Sequence, residues 1–267
     1  MSLAQLSASC DLQPLSALAA DAASAQRWRP GLAAPQHSEV FAKSGDASGA
    51  GLALALACDA LALQEQAAKS DPLAPSEDTR SVLWVQDRAA IRLNGRPYRA
   101  GLPDNLQRRI IHVDAETPED ALFALEEGLR CRDLMFVIGE IAGNPRALDF
   151  TASRRLSLTA EQHGVPLWLV RLDAQSDLSS ARMRWRAAAH PSSSPRWNSA
   201  APGAPAWQAE LFRARSHPPG QWILRNDEGR LVADRPDNAN DEAEPVSAPP
   251  YHGDLARPTV GRSLAAL

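Results

Sequence analysis

The chain has 267 residues, 44% hydrophobic and 22% charged, so it is long enough for one large α/β core or two small domains. Its three cysteines form no CxxC pair, which excludes a disulfide framework and a four-cysteine zinc site. It has neither a secretory pattern nor an apolar run of about 18 residues. We therefore expect a cytoplasmic protein with no membrane partner.

The net charge of -4 is distributed unevenly. Residues 1–150 carry 14 basic and 20 acidic side chains, residues 151–235 carry 12 and 7, and residues 236–267 carry 2 and 5. All the basic residues of the middle block are arginines, but lysine is rare throughout, so a GC-rich genome explains much of this preference. Arginine content alone therefore indicates no ligand.

Residues 1–30 are rich in Ala and Ser with spaced leucines, which predicts a separate N-terminal segment containing at most a short helix. Five short apolar runs follow and lack polar alternation, as is typical of parallel strands covered on both faces. They are residues 39–42, 82–85, 110–113, 134–138 and 167–170.

Helical patterns separate most of these runs. Thr117 precedes Pro118 and two acidic residues, a strong helix start, and leucines follow at helical spacing. Thr151 is the predicted cap of a second helix, which Gly164 ends. Alternating strands and helices predict an α/β fold with a mostly parallel sheet flanked by helices.

After residue 171 the pattern becomes alternating. Arg182, Arg184 and Arg186 fall on one face of a predicted strand and Met183 and Trp185 on the other; residues 207–215 and 221–225 are further strands. We expect these as antiparallel strands at the C-terminal edge of the sheet. The domain is predicted to span residues 31–226, and residues 227–267 to form a disordered acidic, Pro-rich tail.

Residues 257–267 return to apolar character after the acidic run. Two interpretations stay open for them: a short docking peptide, or a segment without a partner.

The most informative segment is a strand, a Gly/Ser loop and a small-residue helix at residues 37–57, the layout of a phosphate-binding loop. Such a loop needs GxxxxGK[ST], because lysine neutralises phosphate charge and the hydroxyl holds magnesium. Ala50 stands at the lysine position and Gly51 at the hydroxyl position. A degenerate nucleotide loop, or simply a Gly-rich turn, is predicted; it comprises Ser44, Gly45, Asp46, Ala47, Ser48, Gly49, Ala50 and Gly51.

Six ordered segments resemble the ImuA family, RecA-related proteins of bacterial mutagenesis cassettes. They are EVFAKSGDASGAGLALALA (39–57), VLWVQDR (82–88), AETPEDALFALEEGLRCRDLMFVIGEI (115–141), LDFTASRRLSLTAEQHGVPLWLVR (148–171), SSARMRWR (179–186) and WQAELFRARSHPPGQWIL (207–224). The resemblance implies a RecA-like domain.

Compared with RecA, the chain departs from the pattern where hydrolysis occurs. Arg88 occupies the place of the catalytic acid, and Glu140 lies about two positions too late to coordinate magnesium in the Walker B manner. The resemblance therefore implies a domain without catalysis or cofactor.

The resemblance also implies a supporting role in SOS-induced translesion synthesis. The implied partners are an ImuB-like Y-family polymerase homologue and an error-prone C-family DNA polymerase, with RecA as a further candidate and DNA as a weaker one. Two alternatives stay open: a DNA-stimulated ATPase of RecA type, and a cell-division inhibitor resembling SulA. We expect a cytoplasmic location, with association to the nucleoid as an alternative.

Several residues are candidates for surfaces. Arg182, Arg184, Arg186, Arg213 and Arg215 are the candidate DNA or partner surface, with a solvated edge strand as the alternative. Trp185, Trp207 and Trp222 are predicted in the core, whereas Trp28 and Trp197 are the tryptophans predicted to face a partner. The six histidines show no metal spacing, and no nucleophilic triad can be assigned.

Overall fold

The computed structural model describes residues 27–69, 78–195, 198, 201–227 and 230–234. Nine strands form one sheet in the order β3-β2-β4-β5-β1-β6-β7-β8-β9. The strands from β3 to β6 in this order are parallel, and β7, β8 and β9 are added antiparallel. The predicted α/β class with antiparallel strands at the C-terminal edge is confirmed.

The elements follow the chain in a regular alternation up to β5. The strands are β1 (His37–Ala42), β2 (Ser81–Asp87), β3 (Ile110–Ala115), β4 (Leu134–Ala142), β5 (Leu167–Leu172), β6 (Met183–His190), β7 (Ala206–Ala214), β8 (Gly220–Asp227) and β9 (Arg230–Asp234). The helices are α1 (Ser48–Lys69), α2 (Arg88–Asn94), α3 (Asp104–Gln107), α4 (Pro118–Arg130) and α5 (Phe150–His163).

Each of the five predicted parallel strands is present and somewhat longer than its apolar run. One pairing was predicted wrongly: β6 was expected to be antiparallel, but it lies parallel to β1 and antiparallel only to β7. The sequence between β5 and β6 contains no helix, and parallel strands normally need a long crossover. Residues 173–182 make this crossover past β1, which lies between β5 and β6.

Capping residues explain where α4 and α5 begin. Thr117 and Asp120 form a complete capping box at the start of α4, as the sequence predicts. The predicted cap of α5 at Thr151 is wrong, because Asp149 accepts a hydrogen bond from the Ala152 amide and the helix begins at Phe150. Gly164 ends α5 in the left-handed conformation.

The sheet has a hydrophobic core on each face. On one face α1 packs against a core that includes Leu52, Trp168 and Trp185. On the other face α4 and α5 cover β2, β4 and β5, and Leu125 and Leu156 are among the buried residues. Parallel strands buried on both faces are the expected result of this arrangement.

Trp28 belongs to the core, so its prediction as a partner-facing residue is wrong. Its ring meets Trp185 edge-on at 4.6 Å between centroids and Trp222 at 5.3 Å. The predicted core positions of Trp185, Trp207 and Trp222 are confirmed. Trp197 lies outside the described residues.

Two predicted boundaries need adjustment. Trp28 attaches the chain to the core before residue 31, while the helix predicted within residues 1–30 falls on positions outside the described residues, which begin at Arg27. The tail predicted from residue 227 starts too early, because β9 pairs with β8 and Leu231 is buried. Residues 235–267 lie outside the described part.

Among the described residues, no helix is long and apolar enough to cross a membrane.

We predict that Trp28→Ala lowers the free energy of unfolding by about 3 to 5 kcal/mol, because it leaves a cavity beside two other tryptophans. Chemical denaturation followed by far-ultraviolet circular dichroism measures this value. Tyr98→Ala is the control, since Tyr98 is 77% exposed, and should change it by about 0.5 kcal/mol or less. Equal effects of the two substitutions would contradict the assignment of Trp28 to the core.

Candidate functional site

The candidate site lies at the carboxyl ends of the parallel strands. The loop of residues 43–47 follows β1 and leads into α1, Arg88 follows β2, and Glu140 lies near the end of β4. In open parallel sheets this edge is where ligands bind. The topology therefore brings together the segments that the sequence analysis compared with a nucleotide site.

The predicted strand, loop and helix layout is confirmed, and the loop turns sharply. Gly45 has a φ of 94° and Ala47 a φ of 52°. Positive φ is uncommon for a residue with a side chain, so the turn at Ala47 is conformationally demanding.

Three backbone N–H groups of this loop and of the start of α1 donate to the chain's own side chains. The Ser44 amide donates to Asp173 Oδ1 (3.0 Å), the Gly45 amide to Asn94 Oδ1 (2.9 Å) and the Ser48 amide to Asp46 Oδ1 (2.9 Å). A working phosphate loop offers such amides to its ligand. Here a phosphate would have to displace these acceptors, two of which are carboxylates.

The glycines at the start of α1 serve packing. A Cβ at Gly49 would lie 2.8 Å from both Ala42 Cβ and Val170 Cγ1, and a Cβ at Gly51 would lie 3.0 Å from Trp207 Nε1. Only residues without a side chain let the helix approach the sheet this closely. The glycine pattern therefore has a structural cause without any bound phosphate.

Lys43 lies in the loop after β1, one position before Ser44. It is exposed, and its charge acts on Asp173. Hydrogen bonding to Ser44, together with Lys43, holds the pKa of Asp173 below its usual value. Lys43 thus stabilises the charged form of the carboxylate that accepts the hydrogen bond from the Ser44 amide.

The residues after β2 have structural partners. Asp87 accepts from the Ala90 amide at 2.6 Å and caps α2. Arg88, which stands at the position of the catalytic acid in the resemblance, pairs with Glu116 at 2.8 Å on the surface. Gln86 is buried and donates to the carbonyl of Gly95 and to Glu140.

Glu140 is the carboxylate nearest this edge on β4, and it is enclosed. Trp84 Nε1 donates to its Oε1 at 2.7 Å and Gln86 Nε2 at 3.0 Å. Burial raises the pKa of Glu140 to about 7, although both hydrogen bonds oppose that shift. Glu140 is therefore held between its neutral and charged forms near neutral pH.

The five arginines of the predicted surface do not share one environment. Arg184 is buried, which contradicts its predicted surface position. Arg182 pairs with Glu161, and Arg186 pairs with Glu210 at 3.0 Å while its guanidinium stacks over Phe212. Arg213 and Arg215 are exposed. Four of the five therefore remain accessible, two of them in ion pairs.

Arg184 belongs to a buried charged cluster that the sequence analysis missed. Its Nε donates to Glu39 Oε2 at 2.7 Å, Ser179 donates to Glu39 Oε1 at 2.7 Å, and Arg171 lies 3.9 Å from that same oxygen. All three charged side chains are nearly inaccessible. An acid at position 39, at the start of the otherwise apolar run of residues 39–42, was the sequence signal that could have indicated a buried ion pair.

His37 lies in the same region but does not add charge. Its Nδ1 is 2.7 Å from Ser157 Oγ, and burial lowers its pKa to about 4. The imidazole is therefore neutral at physiological pH. No group of three or more potential metal ligands occurs in the part of the chain that the structure describes.

A cleft of about 910 Å³ opens directly beside the loop. It runs along α1. Its other walls are residues 101–106, the ends of β6, β7, β8 and β9, and Ser192, Gly203 and Pro205 between β6 and β7. Its lining is mainly apolar, with Asp46 at the loop end and Glu65 farther along α1.

Comparison with known proteins gives no family. No family model matches the chain, and no curated protein matches it.

We predict that Glu140→Gln changes the pH dependence of stability. The folded chain keeps a proton on Glu140 that the unfolded chain releases above about pH 4.5, so this carboxyl contributes less stability as the pH rises from 4.5 to 7. The variant should gain about 3 kcal/mol relative to the parent across this window. Urea denaturation at pH 4.5 to 8 measures it. Parallel curves for the two proteins would contradict a raised pKa, because all other titrations are common to both.

We predict that Arg184→Met lowers the free energy of unfolding by about 3 kcal/mol or more, because it leaves Glu39 buried without its closest cation. Arg186→Met, the same change two residues along the strand, should cost about 1 kcal/mol or less since its ion pair is exposed. Urea denaturation of both variants tests the difference. An equal loss of unfolding free energy in the two variants would contradict a buried ion pair at Arg184.

Proposed function

We propose that this chain is a non-catalytic RecA-like accessory protein of SOS-induced translesion DNA synthesis. In this proposal it acts in the cytoplasm as an adaptor, with an ImuB-like Y-family polymerase homologue and an error-prone C-family DNA polymerase. The resemblance of six ordered segments supports the pathway. The geometry of the loop supports the absence of catalysis.

The observation that carries the non-catalytic part is the occupation of the loop amides by Asp173, Asn94 and Asp46. A triphosphate placed there would lose the hydrogen bonds that bind phosphate elsewhere and would meet two carboxylates. Like charges repel, so these carboxylates disfavour a phosphate at this position. Ala50 and Gly51 supply neither the cation nor the hydroxyl that would compensate.

Glu140 supports the same proposal. Magnesium requires ionised, accessible carboxylate oxygens, whereas this carboxyl is 2% exposed and receives hydrogen bonds from Trp84 and Gln86. Arg88 and its partner Glu116 occupy the other acid position. Both positions that hydrolysis needs are thus used for structure.

The exposed arginines offer a surface for the adaptor role. Arg213 and Arg215 lie at the end of β7 and just beyond it, on the antiparallel part of the sheet. Accessible guanidinium groups suit carboxylates of a protein partner or phosphates of DNA. We propose this surface as a contact for the ImuB-like partner or for RecA, with DNA as the weaker alternative.

The test is co-expression of the tagged chain with its cognate ImuB-like protein and RecA, followed by affinity capture. We expect at least one stable complex, and we expect Arg213→Glu with Arg215→Glu to reduce its yield about tenfold. Arg130→Glu on α4 is the matched control and should leave the yield unchanged, since α4 packs against β2, β3 and β4, away from β7. Failure to capture either protein would refute the adaptor.

Nucleotide binding tests the non-catalytic part separately. We expect no saturable binding of fluorescent ATP with magnesium at micromolar concentrations, and no change in Lys43→Ala. Micromolar binding that Lys43→Ala abolishes would instead favour the RecA-type ATPase. Filamentation on overexpression, with capture of the division tubulin homologue alone, would favour the SulA-like inhibitor.

A further inference from the structure

The cleft beside the loop is large enough to hold a short peptide. Its volume of about 910 Å³ lies at the upper end of the range for ligand pockets. Leu54 and Leu61 of α1, Leu102, Trp207 of β7 and Leu231 of β9 give it apolar walls. An occupant must therefore bring apolar side chains.

The charge of the cleft restricts the occupant further. Asp46 and Glu65 are the acidic residues of its lining, and none of the described residues that line it is Lys or Arg. Such a cleft repels phosphates and other anions and favours a segment with basic side chains. Its ligand should combine aliphatic residues with one or two positive charges and lack acids.

Residues 257–267 of this chain have that composition. The sequence RPTVGRSLAAL contains Arg257 and Arg262, no acidic residue, and the aliphatic residues Val260, Leu264 and Leu267. Residues 1–26 contain no Lys or Arg, and residues 235–256 contain five acids against one arginine. Residues 257–267 therefore complement the cleft best among the chain segments that precede or follow the described part.

The covalent connection makes this contact easy to reach. The described chain ends at Asp234 in β9, and Leu231 of the same strand lines the cleft. Residues 235–256 form a 22-residue connection that spans at most about 75 Å when extended. A tethered peptide has an effective concentration of about millimolar, so weak individual contacts suffice.

We propose that residues 257–267 bind in the cleft of their own chain. Their arginines face the acidic residues Asp46 and Glu65, and their aliphatic side chains lie against Leu54, Leu102 and Trp207. The cleft wall at the start of α1 is then covered by the chain itself. This proposal goes beyond the adaptor function and does not require it.

The experiment uses the full chain with a benzophenone-bearing amino acid at position 264. After irradiation, mass spectrometry locates the cross-links, and denaturing gels separate those within one chain from those between chains. We expect a monomeric product with cross-links on the residues of the cleft. The same amino acid at position 248 is the positional control and should not label the cleft.

Charge exchange tests the electrostatic part. Glu65→Arg and Arg262→Glu should each reduce the cross-link yield about threefold, the effect of an exposed ion pair worth about 0.6 kcal/mol, and their combination should restore it. Glu127→Arg on α4 is the matched control, because it makes the same change on an exposed helix position away from the cleft. It should leave the yield unchanged.

Three results would overturn the proposal. A cross-linked dimer would show that the occupant comes from a second copy. Labels scattered over the surface would show no specific site. A yield that does not respond to Glu65→Arg and Arg262→Glu, alone or combined, would show that the acidic lining plays no part.

Discussion

The ion pair between Glu39 and Arg184 joins the two halves of this protein. Glu39 lies on β1 and Arg184 on β6, the parallel pair through which the antiparallel strands are attached to the sheet. Burying a carboxylate or a guanidinium without an oppositely charged partner costs much free energy. The buried pair of Glu39 and Arg184 therefore requires β6 to lie beside β1. Because side chains alternate along a strand, the same pairing places Trp185 on the opposite face against Trp28. One polar contact and one aromatic contact thus fix the same register.

Neighbouring elements, including the antiparallel strands, determine the packing and the hydrogen bonds of the loop after β1. Trp207 of β7 reaches across to α1, where a Cβ at position 51 would lie only 3.0 Å from its indole Nε1. Asp173, directly after β5, and Asn94 at the end of α2 provide acceptors for the loop amides. The elements around the loop therefore satisfy it internally. Internal pairing of this kind supports the proposed non-catalytic role.

Parts of the candidate site could be read from the sequence because they depend on residue type. The absence of a lysine at Ala50 and of a hydroxyl at Gly51 is visible directly. The amide acceptors could not be read, because Asp173 and Asn94 are distant from the loop in sequence. The sequence also could not show that Arg184 is buried. Alternation along a strand places a residue on one face of the sheet but does not show whether other elements cover that face.

The sequence by itself determined the α/β class, the five parallel strands, the start of α4 and the absence of the lysine and the hydroxyl of a phosphate loop. Each of these depends on local periodicity, local capping or a single residue identity. The tertiary structure alone decided that β6 pairs parallel with β1 and that Trp28 is core. These features depend on contacts between segments far apart in the chain, and such contacts are selected by total burial and charge pairing, which no local pattern encodes.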